Sequence, residues 1–167
     1  MRSSIQLAGV LAAVTIGLIL DTVTATTATE VASVFRAQGD ITGEVSQNSA
    51  ILQSRLTSSA GMVDGDVPGA SGIARFEISE HPNFEASITT CWLKAQADTD
   101  YLVKAKVSDL KPGTRYFYRA IFGPNEKSLQ TGDVCSFRTL QTKDGTDDVS
   151  FVVVTGMNYT SFHYGKP

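Results

Sequence analysis

Hydrophobic and polar residues alternate in short runs along the middle of the chain. In residues 72–79, Ala74, Phe76 and Ile78 point one way and the polar residues between them point the other. Because successive side chains of a β-strand face opposite sides of the sheet, this run predicts a half-buried strand. Residues 101–107 alternate in the same way and predict a second such strand.

The pattern predicts about seven strands, separated by turn-forming residues. They cover residues 34–42, 49–57, 72–79, 87–97 with Trp92, 101–107, 116–122 and 134–140. A segment rich in Gly, Ser and Asp, 58–71, predicts a long loop, and Gly123-Pro124-Asn125 predicts a turn. Many short strands without a helical period are typical of an all-β, immunoglobulin-like or fibronectin type III-like sandwich. We expect this sandwich to occupy residues 34–140.

The segment Leu110-Lys111-Pro112-Gly113-Thr114-Arg115-Tyr116 predicts a specific feature of such sandwiches, the tyrosine corner. Leu110 is expected to end one strand in the core, and Pro112-Gly113 to turn the chain between the sheets. The Tyr116 hydroxyl then hydrogen-bonds to the backbone a few residues upstream.

The first 25 residues have the pattern of a signal peptide. Arg2 precedes an apolar run over 5–20, and Val23-Thr24-Ala25 offers small residues for cleavage after Ala25. An uncleaved anchor is the alternative, but the run is shorter than the roughly 20 residues of a membrane-spanning helix. We therefore expect an exported protein, periplasmic, cell-surface or extracellular, without stable membrane insertion after cleavage. Residues 26–33 then form a flexible leader.

The hydrophobic pattern changes after residue 140. Residues 141–148 are polar and acidic and predict a linker, whereas Val149 and residues 151–154 form a nearly continuous apolar run. Strands covered on both faces, as in α/β sheets, have such runs. The pattern favours the start of a second, truncated domain over 149–167. The alternative is an edge strand that completes the sandwich.

Composition narrows the classes of partner. The 167 residues carry 14 basic and 17 acidic side chains, a formal net charge of −3, and 42% are apolar. Without a clustered basic face, the chain has neither the footprint of a nucleic-acid-binding protein nor a polybasic patch for an anionic membrane. The two cysteines, Cys91 and Cys135, either pair in a disulfide or are buried as small apolar residues, and their spacing does not decide between these.

The sequence offers no candidate catalytic, cofactor-binding or metal-binding residues. His81 and His163 are the only histidines, and no group of carboxylates has metal-ligand spacing. Neither a nucleophile elbow nor a glycine-rich phosphate loop is present. We therefore predict that no residue of this chain has such a role.

Four stretches carry a resemblance to a known family. In chain order they are "FRAQGDITGEVSQNSAILQSRL", "YLVKAKVSDLKPGTRYFYRAIFG", "CSFRTL" and "VSFVVVTGMNY". Over about residues 34–159 the chain resembles alkaline phosphatase D, the PhoD-like phosphatases, whose N-terminal module is also called the phospholipase D N-terminal domain. The opening "GDIT" and the late "FVVVTGMNY" make the resemblance sharper, because the middle stretch is shared with fibronectin type III domains.

The resemblance implies the N-terminal part of a secreted metallophosphatase. In that family the sandwich precedes a catalytic domain that hydrolyses phosphate esters, with calcium and iron implied for the full-length protein. The implied partner is the chain's own catalytic domain, and a phosphate ester is a substrate only for the full-length parent. Gly156 stands where the family has its first metal ligand, a cysteine, and no ligand role carries over to Asn158 or Tyr159. We expect an inactive fragment without a cofactor; the alternative is a free-standing secreted binding or adhesion module of the fibronectin type.

Overall fold

The structure, a computed structural model, describes residues 33–146 and residue 148. In this part the chain forms nine strands and one short 3-10 helix, Ala97–Thr99. The strands are β1 Asp40–Gly43, β2 Ala50–Arg55, β3 Gly72–Ser79, β4 Ile88–Thr89, β5 Leu93–Ala95, β6 Leu102–Val107, β7 Arg115–Asn125, β8 Ser128–Thr131 and β9 Cys135–Arg138. The predicted signal peptide and the expected second domain, with Gly156, Asn158, Tyr159 and His163, lie outside the described residues.

The strands form two antiparallel sheets. One has the order β1-β2-β6. In the other, β3 pairs with β7 along most of its length, β4 and β5 share the remaining edge of β3, and β8 and β9 share the remaining edge of β7. The nine strands therefore fill seven strand positions, three in one sheet and four in the other. The expected all-β sandwich of about seven strands is confirmed.

The core lies between the two sheets because each central strand turns its apolar side chains inward. In β3 the predicted alternation is confirmed, with Ala74, Phe76 and Ile78 buried. Val103, Ala105 and Val107 of β6 are buried as well, and the lysines between them are exposed. The largest fully buried apolar side chains come from both sheets: Val34, Leu52, Leu56, Phe76, Ile78 and Val103.

The first strand is shorter than predicted. The prediction of a strand over residues 34–42 is wrong, because β1 begins at Asp40 and Phe35 makes only an isolated bridge to Thr57. Between them the N–H of Gly39 donates to the carbonyl of Arg36, 3.0 Å away, and Gly39 has a φ of +73°. This left-handed conformation, which glycine adopts readily, turns the chain before β1.

The strand predicted over 87–97 is also interrupted. Thr90 lies between β4 and β5, and its hydroxyl accepts a hydrogen bond from the N–H of Phe76 at 3.0 Å. The N–H of Thr90 donates to the carbonyl of Phe76 at 2.9 Å. A side chain thus takes the place of one backbone partner, so the regular ladder stops at Thr90 and resumes at Leu93.

The turn predicted at Gly123-Pro124-Asn125 lies directly after these three residues. These residues belong to β7, and the chain reverses at Glu126 and Lys127 before β8, a strand that the sequence pattern did not predict. A Cβ added to Gly123 would lie 1.9 Å from the carbonyl oxygen of Ser128. Gly123 therefore allows the backbones of β7 and β8 to approach closely where their pairing register shifts, and it is not part of the turn.

Both cysteines are free thiols, so the disulfide alternative is wrong. Cys91 is exposed and Cys135 is half-buried, so full burial is wrong as well. Among the described residues, no helical segment has the length and hydropathy that a membrane span requires.

Candidate functional site at the exit end

The end of the sandwich that leads toward residue 141 is built around the predicted tyrosine corner, and we call it the exit end. Tyr116 is buried at the start of β7, and its hydroxyl accepts a hydrogen bond from the N–H of Lys111 at 2.9 Å. Leu110 is buried beside it, and its N–H donates to the carbonyl of Asn48. The predicted corner is confirmed; β6 ends at Val107, as its alternation predicts, so Leu110 lies beyond the strand and does not end it.

The last strand is fastened to this corner. Thr139 is almost fully buried, and its hydroxyl donates to the carbonyl of Lys111 at 2.6 Å and accepts from the N–H of Thr114 at 2.9 Å. The N–H of Leu140 then donates to the carbonyl of Ser46 at 2.9 Å. Any segment that follows Leu140 therefore leaves the sandwich from a fixed position next to the corner.

The loop between β3 and β4 forms the second wall of the exit end. Phe84 and Ala86 have φ angles of +60° and +54°, a region that side-chain-bearing residues seldom adopt. Phe84 is buried under the guanidinium of Arg119, whose carbon lies 4.0 Å from the ring centroid. Such backbone strain persists only where surrounding contacts determine the conformation.

Polar contacts hold the same loop at both of its ends. The hydroxyl of Ser79 donates to the carbonyl of Glu85 at 2.8 Å and accepts from the N–H of His81. On the outer face of β3, Glu77 accepts one bond from Arg119 and one from Ser87, each of 2.7 Å. The loop is therefore preorganised.

A cavity of about 390 Å³ opens between this loop and the corner. Apolar side chains from Ile78, Leu110 and Tyr116 line it, together with the more polar His81, Glu85 and Asp109. Lys111 forms an ion pair with Glu80 at 2.7 Å across the cavity wall. That hydrogen bond raises the pKa of Lys111 above its usual value.

Sequence reasoning identified the corner but not the opposite wall. A left-handed backbone at Phe84 has no signal in the sequence, because Gly, Asn and Asp are the residues that usually mark that conformation. The structure brings His81 into the wall of the cavity, which Glu85 and Asp109 also line. Among the described residues, no group of three or more His, Cys, Asp or Glu side chains could hold a metal ion.

The comparisons with known proteins decide the family. The family model described as "PhoD-like phosphatase, N-terminal domain" matches residues 23–141. The chain belongs to this family. The resemblance to the N-terminal module of the PhoD-like phosphatases is therefore confirmed for the first three sequence stretches, whereas the fourth, over residues 149–159, lies beyond the matched residues.

Several solved structures are similar to this chain. The structure of PhoD matches with 18% identity and a TM-score of 0.53, over 67% of this chain but only 20% of the PhoD chain. A fibronectin type III domain from the human KIAA0970 protein is 9% identical over 77% of this chain and 88% of its own, with a TM-score of 0.48. The solution structure of the sensor domain of the anti-sigma factor RsgI4 from Pseudobacteroides cellulosolvens is 18% identical over 70% of this chain and 89% of its own, with a TM-score of 0.44. No curated protein sequence matches the chain.

Proposed function

We propose that this chain is the non-catalytic N-terminal sandwich domain of an exported PhoD-like alkaline phosphatase or phosphodiesterase, and that alone it hydrolyses no phosphate ester. The observation that carries the proposal is the family match over residues 23–141. The matched part corresponds to a fifth of the PhoD chain, so most of PhoD has no counterpart in the matched residues. Phosphate-ester hydrolysis, in this proposal, belongs to the full-length parent.

The role of the sandwich is to hold and dock the catalytic domain at the exit end. Leu140 leaves the sandwich beside the corner, where Thr139 and Leu140 are hydrogen-bonded to rigid backbone. A linker over 141–148 has eight residues, which span at most about 26–29 Å when fully extended. The partner therefore stays within reach of the exit end, whose two walls are already fixed before docking.

The described part of the domain contains no group of three or more His, Cys, Asp or Glu side chains that could hold a metal ion. Calcium and iron are implied for the full-length family, but residues 33–146 and residue 148 provide no set of side chains that fits either ion. Metal-assisted hydrolysis requires ligands that hold the ion and an open position for water or substrate. We therefore derive no catalytic step from this domain.

Export is part of the proposal and has its own test. Arg2, the apolar run over 5–20 and the small residues Val23-Thr24-Ala25 support cleavage before Thr26. N-terminal sequencing of secreted protein should return a start near Thr26. A start at Met1 would contradict cleavage and support an anchor.

The experiment that tests the proposed function is to read the coding sequence beyond the codon for Pro167 and to express the whole frame. We expect the frame to continue into a segment with Asp, Asn and His metal-ligand motifs, and the longer product to hydrolyse phosphate esters. A stop codon directly after Pro167 in the natural gene would contradict this proposal. It would favour the alternative, a free-standing secreted binding or adhesion module.

A further inference from the structure

The first strand places polar side chains between the two sheets. Asp40 and Thr42 belong to the "GDIT" stretch and lie two residues apart on β1, so they share one face. The Asp40 side chain has no exposed surface, whereas Ile41, on the opposite face, is 59% exposed. In this stretch the charged side chain is therefore inside the sandwich and the apolar one outside.

Two further polar side chains meet this face. Arg36 lies in the turn before β1, and its Nη1 donates a hydrogen bond to Oδ2 of Asp40. The Arg36 side chain is 7% exposed, and its guanidinium lies over the ring of Phe122, with 4.9 Å between the guanidinium carbon and the ring centroid. Ser54 is 2% exposed and stands directly opposite Asp40 on β2.

Four buried polar atoms of this group make no hydrogen bond of normal geometry with the described protein residues: Arg36 Nε, Asp40 Oδ1, Thr42 Oγ1 and Ser54 Oγ. The hydroxyl of Tyr118 also reaches this group, since Thr42 and Asp40 both influence the pKa of Tyr118. Buried polar atoms without a partner are rare in folded proteins, because each has lost its bonds to bulk water. Directly opposite residues of an antiparallel pair have Cβ atoms about 4.5–5.5 Å apart, which places Asp40 and Ser54 beside each other. Arg36 and Asp40 are already in contact, so the four atoms belong to one cluster.

We propose that this cluster is a binding site for one internal water molecule. The Nε–H of Arg36 can only donate and Oδ1 of Asp40 can only accept, while each hydroxyl can do either. A water molecule that accepts from Arg36 and one hydroxyl, and donates to Asp40 and the other hydroxyl, forms four bonds. Internal waters commonly make two to four bonds of this kind.

The charges of the cluster favour a neutral ligand. A metal cation at this place would face the guanidinium of Arg36, and an anion would face the carboxylate of Asp40. Arg36 already pairs with Asp40 and, at 3.8 Å, with the exposed carboxylate of Asp133, so a water molecule fits the site without adding charge. The bound water joins the turn before β1 to β1 and β2, and so fixes the strand that follows the leader.

The first test is a crystal structure of the secreted chain, refined where ordered water is visible. We expect density for one oxygen at about 2.7–3.2 Å from at least three of the four atoms. Direct bonds among the four atoms, with no density between them, would overturn the proposal.

The second test measures the bound water in solution. The Nε–H of Arg36 should show a cross-relaxation peak to water with the sign of a long-lived, buried molecule. The Nε–H of Arg119 is the internal control, because it donates directly to Glu77 at 2.7 Å and should lack that peak. Thr42→Val should weaken the Arg36 peak, and Thr131→Val, on the exposed strand β8, should leave it unchanged. The site would be refuted if the unmodified chain showed no water peak at Arg36. It would also be refuted if that peak kept its full strength in Thr42→Val and an equal peak appeared at Arg119.

Discussion

The hydroxyl of Tyr116 accepts a hydrogen bond from the backbone N–H of Lys111 across 2.9 Å. The bond connects the start of β7 to the segment that passes between the two sheets, and the ring of Tyr116 stacks on Phe137 of β9 with centroids 5.7 Å apart. One buried side chain thus joins three parts of the exit end. The position from which the chain continues depends on it.

Replacement of Tyr116 by Phe is the most specific test of this corner. The substitution keeps the ring but leaves the N–H of Lys111 without its partner, which should cost about 1–3 kcal/mol of the free energy of unfolding. For a domain of about 100 residues this corresponds to a fall of roughly 4–8 °C in Tm for each kcal/mol. Thermal unfolding followed by circular dichroism measures it.

Tyr101→Phe is the matched control for the corner. Tyr101 is half-buried against the core, and its hydroxyl makes no hydrogen bond with the described residues. We expect its Tm to remain within a degree or two of the unmodified protein. Equal effects of the two substitutions would mean that the corner bond contributes nothing of its own.

The close backbone approach at Gly123 gives a second prediction. In Gly123→Ala the new Cβ would overlap the carbonyl oxygen of Ser128, so β7 and β8 must separate. Forced repacking of this kind typically destabilises by about 1–3 kcal/mol. Gly43→Ala is the control, because an added Cβ there meets nothing within 4 Å. Urea unfolding should show a clear loss for the first variant only, and a silent Gly123→Ala would contradict the assigned pairing of β7 with β8.

The carboxylate of Glu77 gives a pH-dependent prediction. Burial alone would raise its pKa, but hydrogen bonds from Ser87 and Arg119 outweigh burial and lower the pKa below its usual range. Since the folded-state pKa is the lower one, the ionised carboxylate stabilises the fold above the unfolded pKa, about 4.3. This contribution is lost as the pH falls through the folded pKa.

Glu77→Gln should therefore be less stable than the unmodified chain at neutral pH, and the difference should shrink as the pH falls below about 4. Ser87→Ala removes one of the two bonds and should show a smaller effect with the same direction. Urea unfolding over a pH series gives both curves. A difference between the chains that does not change with pH would show that Glu77 is not held in its ionised form.

The sequence predicted those parts of the fold that depend on side-chain alternation and on one local motif. β3 and β6 were found where apolar and polar residues alternate, and the corner was found because Leu110, Pro112-Gly113 and Tyr116 occur at fixed spacing. Errors arose where tertiary contacts override local preference. Gly123 occurs in a sequence typical of a turn, but in the structure it allows two backbones to approach closely. The Thr90 hydroxyl takes the place of a backbone hydrogen-bonding partner, and the hydrophobic pattern does not reveal this replacement.

The exit end was predictable only in part. The corner was expected, but the loop wall depends on the contact of Phe84 with Arg119, residues 35 positions apart in the chain. Likewise, "GDIT" contributed to the family resemblance without indicating that Asp40 is buried. Such pairings over long sequence separations follow from the packing of the sheets and leave no periodic signal.

Deletion of residues 149–167 tests whether the sandwich is complete without them. The apolar run from Val149 to Val154 follows a polar linker, and we predict that it belongs to the next domain. The shortened protein should keep its Tm almost unchanged and should be more soluble, because an unpaired apolar strand promotes edge pairing. A fall in Tm of several degrees would instead make the run an additional strand of the sandwich.

The central claim, that this chain is a non-catalytic domain of a PhoD-like phosphatase, is tested most directly by an activity assay. The purified 167-residue product, or its cleaved form, is incubated with phosphomonoester and phosphodiester substrates while calcium, iron or zinc is supplied. The account predicts no turnover above a blank without protein, because the ligands that hydrolysis requires are not expected in this chain. Metal-dependent turnover that persists through repurification would contradict it.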